Sequence, residues 1–309
     1  MNKIKIFTPA TIANLSCGFD VLGVCLDNIG DEMVVRKSSQ RGVRITRIEG
    51  ADLPLETERN VSGVAALALL EEVDTDFGFE IEIYKKIKAG SGIGSSAASS
   101  AGAVFGINAL LGHPFSAKEL VKFAMQGEKL ASGSAHADNV APALLGGFTL
   151  VRSYDPLDII KIESPSEIYA TVIHPQIELK TSDARSVLKQ HITLKSAITQ
   201  WGNVGGLVAG LYTHDYELIG RSLHDEIVEP IRSVLIPGFD RIKKTAKDQG
   251  ALGSGISGSG PSIFALSRGK ETADKVAHAM CAVYDEINLP YEIHVSKIND
   301  DGIKILSTQ

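Results

Sequence analysis

Hydrophobic and polar positions alternate through KIKIFTPA (3–10), a period of two that predicts an opening strand with a proline at its end. EMVVRKS (32–38) and GVRITRIEG (42–50) read as further strands. The period then changes. NVSGVAALALLEEV (60–73) spaces its apolar residues as a helix does, and FEIEIYKKI (79–87) returns to alternation. A glycine- and serine-rich stretch follows and leads into a helix that reaches about Leu111. SAKELVKFAMQGEKLASG (116–133) predicts another helix, with Ser116 and Glu119 spaced as a capping box. GGFTLVRSY (146–154) reads as a strand. Regularity weakens across SYDPLDIIKIESPSE (153–167), which puts a domain boundary there and divides the chain into 1–158 and 159–309.

In the second half, YATVIHP (169–175) reads as a strand, SDARSVL (182–188) opens a short helix, and WGNVGGLVAGLYTHD (201–215) is a helix of small residues. SIFALS (262–267) predicts a strand and ETADKVAHAMCAVYDEI (271–287) a helix. YEIHVSKI (291–298) and GIKILS (302–307) look like closing strands. Strand and helix runs alternate imperfectly, which favours α+β over a regular doubly wound sheet. There is no internal repeat, low-complexity tail or coiled coil.

Composition narrows the function classes. A chain of 309 residues suits two domains or one large one. Its net charge of −6 and lack of a Lys/Arg block give no support for binding nucleic acid or an anionic membrane. Cys17, Cys25 and Cys281 form no CxxC and no paired framework, so free thiols in a reducing cytosol are the simplest reading. The N-terminus lacks the apolar core of a signal peptide, and no apolar run approaches the ~18 residues of a membrane span. The cytoplasm is the expected location.

Candidate chemistry begins with KAGSGIGSSAASSAG (88–102). Gly90, Gly92 and Gly94 give neither a Walker A loop nor GxGxxG. They do let backbone N–H groups turn to one point, just before a helix whose N-terminus suits an anion. Ser95 and Ser96 can donate to phosphate oxygens or reach a bound Mg²⁺. The competing reading is a tight turn into a closely packed helix. A second loop, GALGSGISGSGPSIFAL (250–266), does match GxGxxG at Gly253, Gly255 and Gly258. That match is a decoy, because Pro261 and a strand follow where the motif needs a helix. Such a loop fits a cap over a ligand held elsewhere, or a plain turn.

Three segments together say more. TPATIANLSCGFDVLG (8–23), KAGSGIGSSAASSAG (88–102) and GISGSGPSIFAL (255–266) resemble, in order and spacing, the three motifs of the GHMP small-molecule kinases. Ala13-Asn14-Leu15, Gly18 to Gly23 and HADNVAPALLGGF (136–148) are similar to the homoserine-phosphorylating branch. Lys88 replaces the usual proline of the phosphate loop, and Ile93 the usual leucine. Pro9 is followed by Ala10-Thr11-Ile12, without the basic residue of mevalonate- and galactose-type members. The resemblance implies an N-terminal domain with a βαβ phosphate-loop unit, a ferredoxin-like C-terminal domain, ATP, Mg²⁺ and L-homoserine as acceptor. Another small alcohol, or a non-catalytic binding protein on the same fold, stays open, as does a homodimer.

Site residues follow from the same resemblance. Lys88, Ala89, Gly90, Ser91, Gly92, Ile93, Gly94, Ser95, Ser96, Ala97 and Ala98 would hold the nucleotide, with Asn60 on the adenine side. Glu128 and Ser96 would hold Mg²⁺, a pairing normal for an ion that shares phosphate oxygens. Asp138 falls where related kinases place a base, and Asn139 where the acceptor hydroxyl is expected. Either could instead cap a helix. The Ala-Asp-Asn run favours Asp138 turned away to hold local backbone, with Asn139 orienting the hydroxyl. His136 alone reads as structural. Arg185 and Arg232 match the carboxylate clamp, Asp20 the ammonium partner with Asn14 beside it, and Thr181 is a weaker substrate candidate.

Overall fold

A computed structural model describes residues 1–309 apart from Glu178, Lys180 and the side chains of Thr181 and Ser182. The first layer is a seven-stranded sheet. Its strands are β1 (Lys3–Ala13), β2 (Leu22–Ser38), β3 (Gly42–Glu49), β4 (Gly78–Tyr84), β5 (Phe148–Tyr154), β6 (Leu157–Ile162) and β11 (Lys304–Thr308). The path runs β11-β1-β2-β4-β3, and the β5–β6 hairpin joins through β2. Only β3 and β4 pair in parallel, because helix α1 (Val61–Leu70) crosses between them. This is the expected βαβ unit.

Helices α1, α2 (Ser95–Leu110), α3 (Ala117–Ser132) and α4 (Val140–Leu145) cover one face of that sheet. Ile4, Ile6, Met33, Val35, Phe79 and Ile81 meet Ala97, Ala101, Val104 and Ile107 there. Helix α2 has no polar face, since it lies between the sheet and its two neighbours. Its small side chains follow from that position. A Cβ on Gly102 would sit 2.4 Å from Thr8 Cγ2, so strand and helix touch almost backbone to backbone. The capping box of Ser116 and Glu119 opens α3 as its spacing predicts.

The second sheet orders β10 (Tyr291–Lys297), β7 (Ile168–Pro175), β9 (Ile263–Arg268) and β8 (Gly253–Ile256), all antiparallel. Between β7 and β8 run α5 (Thr181–Ser186), α6 (Leu194–Thr213), α7 (Tyr216–Ser222), α8 (Glu229–Arg232) and α9 (Phe239–Asp248), and α10 (Lys270–Glu286) joins β9 to β10. That is the βαββαβ order of a ferredoxin-like domain, with extra helices in its first crossover. No helix among the described residues is long and apolar enough to cross a membrane.

Several elements depart from the pattern reading. β2 runs for 17 residues, because β1 pairs one edge and β4 and β5 pair the other, leaving little alternation to read. The irregular stretch after 153 contains β6, and a cut at 158/159 falls inside it. β11 returns to pair with β1, so the last residues belong to the first sheet. α6 starts at Leu194, where Thr193 accepts the Ser196 N–H as its cap, well before the expected Trp201. α7 and α9 carried too few apolar residues to stand out. The decoy glycines lie in β8 and in the turn after it, which leads into strand β9 and not into a helix.

Gly127 generates a test of the helical layer. A Cβ there would stand 2.2 Å from Ser100 Oγ and 2.6 Å from the Val61 carbonyl oxygen, which is backbone and cannot give way cheaply. Gly127→Ala is expected to destabilise by about 1–3 kcal/mol through overpacking. In urea titrations the midpoint should fall while the slope stays constant.

Candidate functional site

A cavity of about 600 Å³ opens between the two halves. The loop after β4 forms its floor, through Ala89, Gly90, Gly92, Gly94, Ser95 and Ser96. Glu128 of α3 and the segment His136, Asp138 and Asn139 form one wall. Asn14, Phe19 and Asp20 from the turn after β1, with Arg185, Arg232 and Gly258 from the second half, form another.

The floor is shaped by backbone angles. Gly90, Gly92 and Gly94 all take left-handed φ, at 75°, 83° and 73°. Alternating handedness of this kind turns successive N–H groups to one side and makes an anion-binding concavity. Gly94 is also the N-cap residue of α2, so the unpaired N–H groups of that helix face the same space. The second glycine loop lines the cavity through Gly258 and Ser259 and is bonded to the first. Ser257 Oγ donates to the Gly92 carbonyl at 2.7 Å, and Gly258 N donates to the Ala13 carbonyl at 3.2 Å. A side chain on Gly92 would meet the Gly260 and Ser257 carbonyls at 2.6 and 2.7 Å. The third motif thus props the first loop from below.

Behind the floor lies an ion pair that the motifs did not reveal. Asp31 of β2 and Lys85 just after β4 are both buried and bonded to each other. Asp31 accepts the backbone N–H groups of Lys86 and Ile87 at 2.7 and 2.8 Å. Lys85 donates to Ser95 O at 2.9 Å and Ser99 Oγ at 3.1 Å, in the first turns of α2. Burial pulls the Lys85 pKa down, and Asp31 followed by Glu128 pushes it back up.

Two buried acids line the wall. Burial raises Glu128 to about 7, against the lowering pull of Ser96, which hydrogen-bonds it, and of Lys85. Its Oε1 has no hydrogen-bond partner among the described residues. Burial also raises Asp138 to about 8, with Asp20 and Glu128 adding repulsion. The Asp138 carboxyl takes its own backbone N–H, as the sequence suggested, and the residue is also among those lining the cavity. Asn139 sits at the N-cap of α4 without a side-chain cap bond. Its Oδ1 instead accepts the Thr11 hydroxyl at 2.7 Å, which fixes the amide plane.

The opposite end is strongly charged. Arg185 binds both Asp20 carboxylate oxygens, at 3.1 and 2.8 Å. Arg232 is buried and donates to two carbonyls, Ala184 at 2.8 Å and Gly258 at 3.3 Å, and forms no salt bridge among the described residues. Its pKa is lowered to about 10 by burial and then by Arg185. Both guanidinium groups lie over the Phe19 ring, at 5.2 and 5.1 Å. His136 Nδ1 is 3.8 Å from Asp20 Oδ2, and burial lowers its pKa, so the ring is mainly neutral near pH 7. Its buried Nε2 has no partner. Asn14 braces the turn, receiving Asp20 N–H at 3.0 Å and donating to Gly258 O at 2.7 Å. Asn14, Leu15, Ser16 and Asp20 all have positive φ, strain that such a brace sustains.

Some expected residues lie elsewhere. Asn60 does not line the cavity: it caps α1 through Ser62 N–H at 2.9 Å and donates to Pro54 O at 2.8 Å. Arg59 and Val61 line it instead. Lys88 reaches Gln176 at 2.7 Å on the surface. Ser91 and Ile93 are buried on the side away from the cavity, and Ala97 and Ala98 pack in the core. The Thr181 side chain lies outside the described residues. Lys85, Phe19 and His136 were missed as site residues. A Lys and an Asp at strand positions carry no spacing signal of their own, and only buried charge would have exposed them.

Models of the N-terminal and C-terminal domains of GHMP kinases match residues 59–147 and 207–286. A homoserine kinase of Chlorobium phaeobacteroides (strain DSM 266) is 49% identical, over 99% of this chain and all of its own. The chain belongs to the GHMP kinase family. A homoserine kinase of Xylella fastidiosa (strain M12) is 37% identical over 99% of this chain and 94% of its own. The crystal structure of a homoserine kinase from Cytophaga hutchinsonii superposes with a TM-score of 0.95 at 56% identity, covering 99% of this chain and 98% of that one. A mevalonate kinase of L. major, at 16% identity and TM-score 0.71 over 95% and 96% of the two chains, shows the shared GHMP fold.

The raised acids give a pH prediction for the ligand-free GHMP kinase fold. Asp138 at about 8 and Glu128 at about 7 bind protons in the folded state that the unfolded chain has already released. Stability is therefore fully present below the ordinary carboxylate pKa of about 4 and falls as pH rises towards 8. Asp138→Asn removes one of these charges. Its denaturation midpoint should fall less than the wild-type midpoint between pH 5 and pH 8.5.

Proposed function

We propose that this GHMP kinase is a homoserine kinase, which transfers the γ-phosphoryl group of ATP to the side-chain hydroxyl of L-homoserine. The product is O-phospho-L-homoserine, a step towards threonine. The observation that carries the reading is Arg232: a buried guanidinium with no carboxylate partner, beside an Arg185–Asp20 pair, in the same cavity as the glycine loop. A buried unpaired cation is costly. A ligand carboxylate satisfies it, and Asp20 with neutral His136 offers acceptors to the adjacent ammonium. A short zwitterion with a hydroxyl at its far end suits that array.

On this reading the glycine loop and the α2 N-terminus hold the phosphates. The residues present also fit Mg²⁺. Glu128 has a partnerless buried oxygen, and Ser96 adds a hydroxyl. Among the described residues no cluster of three or more His, Cys, Asp or Glu could hold a metal by itself, which suits an ion that shares phosphate oxygens. When bound, Mg²⁺ would neutralise charge on the transferring group. Residues 1–158 would supply the nucleotide side, and 159–309 the Arg anchors. The reaction belongs in the cytoplasm, where ATP is held and where three free thiols persist.

The acceptor hydroxyl is handled by Asn139 and Asp138. With a pKa of about 8, Asp138 is largely protonated near pH 7 in the ligand-free site, and a protonated carboxyl takes no further proton. Asn139, oriented through Thr11, is the better placed group to position the hydroxyl. A loose transition state asks little of a base.

A coupled assay of ADP release over hydroxy amino acids and sugar alcohols tests the activity. Turnover with homoserine alone is expected, and a better acceptor or no ADP would overturn the proposal. In the same assay Arg232→Ala should raise the homoserine KM by the equivalent of about 2–5 kcal/mol and leave the ATP KM nearly unchanged. Equal losses for both substrates would remove Arg232 from the carboxylate clamp. Asn139→Ala should lower kcat more than Asp138→Asn does. The reverse order, with Asp138→Asn losing roughly 10²–10⁴-fold, would make Asp138 the base.

A further inference from the structure

Strand β5 ends at Tyr154, and a bulge decides where that side chain points. Against β6, Val151 pairs with Ile159, Ser153 with Asp158 and Tyr154 with Leu157, so one extra residue sits between Val151 and Ser153. An extra residue shifts the alternation of faces by one. Tyr154 therefore lies on the same face as Val151, Ile159 and Leu157, which pack against the helical layer. Without the bulge it would point to the other side of the sheet. On its other edge β5 pairs with Leu22 to Val24 of β2, and Val151 N donates to the Val21 carbonyl at 2.8 Å. That pairing lays the turn carrying Asp20 alongside the end of β5.

The Tyr154 hydroxyl joins two parts of the site. It donates to the Asp20 carbonyl at 2.7 Å and accepts the Ala137 N–H at 3.3 Å. Asp20 has a φ of 60°, a conformation uncommon outside glycine. Side chains hold both of its backbone groups, the N–H through Asn14 and the carbonyl through Tyr154. Ala137 is buried, and its own carbonyl accepts the Ala141 N–H at 2.7 Å, in the first turn of α4. Asn139 lies between those two residues in the chain. A second approach between the two segments, His136 Nδ1 to Asp20 Oδ2 at 3.8 Å, is too long for a hydrogen bond. Tyr154 itself is not among the residues lining the cavity. Burial, and then the charge of Asp138, push its pKa up, so the hydroxyl stays protonated and remains a donor.

We propose that Tyr154 is a positioning residue: its hydroxyl fixes Asp20 relative to Asn139, and so fits the site to the length of its acceptor. On the homoserine kinase reading, on which this rests, Asp20 meets the ammonium at one end of the acceptor and Asn139 the hydroxyl at the other. The two side chains come from turns more than a hundred residues apart in the chain. One oxygen atom bonded to both backbones holds them in register. Transfer to a hydroxyl depends steeply on such a fit, since a misplacement of about 1 Å costs on the order of 10²-fold.

Tyr154→Phe removes the oxygen and keeps the ring, and a urea midpoint checks that the variant is folded. In the ADP-release assay its kcat/KM for homoserine should fall about 5–30-fold, the size of one or two lost hydrogen bonds, with the ATP KM unchanged. Its preference for homoserine over serine, one methylene shorter, should shrink. Tyr212→Phe deletes another tyrosine bond, 3.4 Å to the Lys161 carbonyl and outside the cavity, and should change none of these. Amide hydrogen exchange at Ala137 reads the link without turnover: it should quicken in Tyr154→Phe and not in Tyr212→Phe. Equal losses for homoserine and ATP would overturn the proposal, and so would an unchanged preference over serine beside faster exchange, the mark of a merely structural bond. Exchange at Ala137 that does not change would remove the link itself. A wild type that used another acceptor would overturn the homoserine reading alone, and the same comparison with ATP would then be made on that acceptor.

Discussion

The Asp31–Lys85 ion pair is where the sheet, the glycine loop and helix α2 are held to one another. Both charges are buried, so each is tolerated only because the other is there. The bonds they make beyond the pair matter as much as the pair itself. Asp31 uses its second oxygen on the N–H groups of Lys86 and Ile87, where the chain leaves β4. Lys85 uses its remaining protons on Ser95 and Ser99, where the chain enters α2. The loop of residues 88–94 is therefore held at both ends by one pair. Left-handed glycines are the most freely moving residues in an unfolded chain, and such a clamp is what makes their conformation single.

The rest of the cavity is assembled on that clamp. The second glycine loop supports the first through Ser257, and the same loop presents the Gly258 carbonyl to both Asn14 and Arg232. One short turn thus sets the height of the glycine-loop floor and the position of the Arg232 guanidinium. The two sheets contribute opposite ends of one ligand site, and the third motif is the ruler between them. Its glycines are needed for closeness: a Cβ on Gly258 would come 3.0 Å from the Gly92 carbonyl.

Much of this was legible in the sequence, for identifiable reasons. Alternation revealed β3, β4 and the start of β1, where one face is buried and the other less so, whereas β7 and β9 are buried on both faces and read as short apolar runs. Gly90, Gly92, Gly94, Asp20, Glu128, Arg185 and Arg232 followed from the family resemblance, and all of them line the cavity. What escaped were features without local period. β11 was read as a closing strand, but its place beside β1, some 300 residues away in the chain, was not. Asn60 looked like a ligand contact because a polar residue before an apolar helix can be either a contact or a cap. Here the cap takes both ends of its amide. Lys85 and Asp31 look like ordinary strand charges until burial is known.

Electrostatics explains why the site is built with its charges unbalanced. In the ligand-free fold Arg232 has no counter-ion, and Glu128 and Asp138 are forced towards their neutral forms. Each of these costs folding stability, and each is relieved by a ligand of opposite character: a carboxylate for Arg232, a cation for Glu128. The unfavourable terms sit on separate walls, some facing the phosphate floor and others the amino-acid end. On the proposed function, nucleotide and acceptor would be bound by relieving different charges. Asp138 lies between the two ends and feels both Asp20 and Glu128. A cation at Glu128 removes one source of its repulsion and an ammonium at Asp20 removes the other. Burial stays the largest cause of the raised Asp138 pKa, so on the proposed function the two ligands would relieve only its lesser, repulsive part.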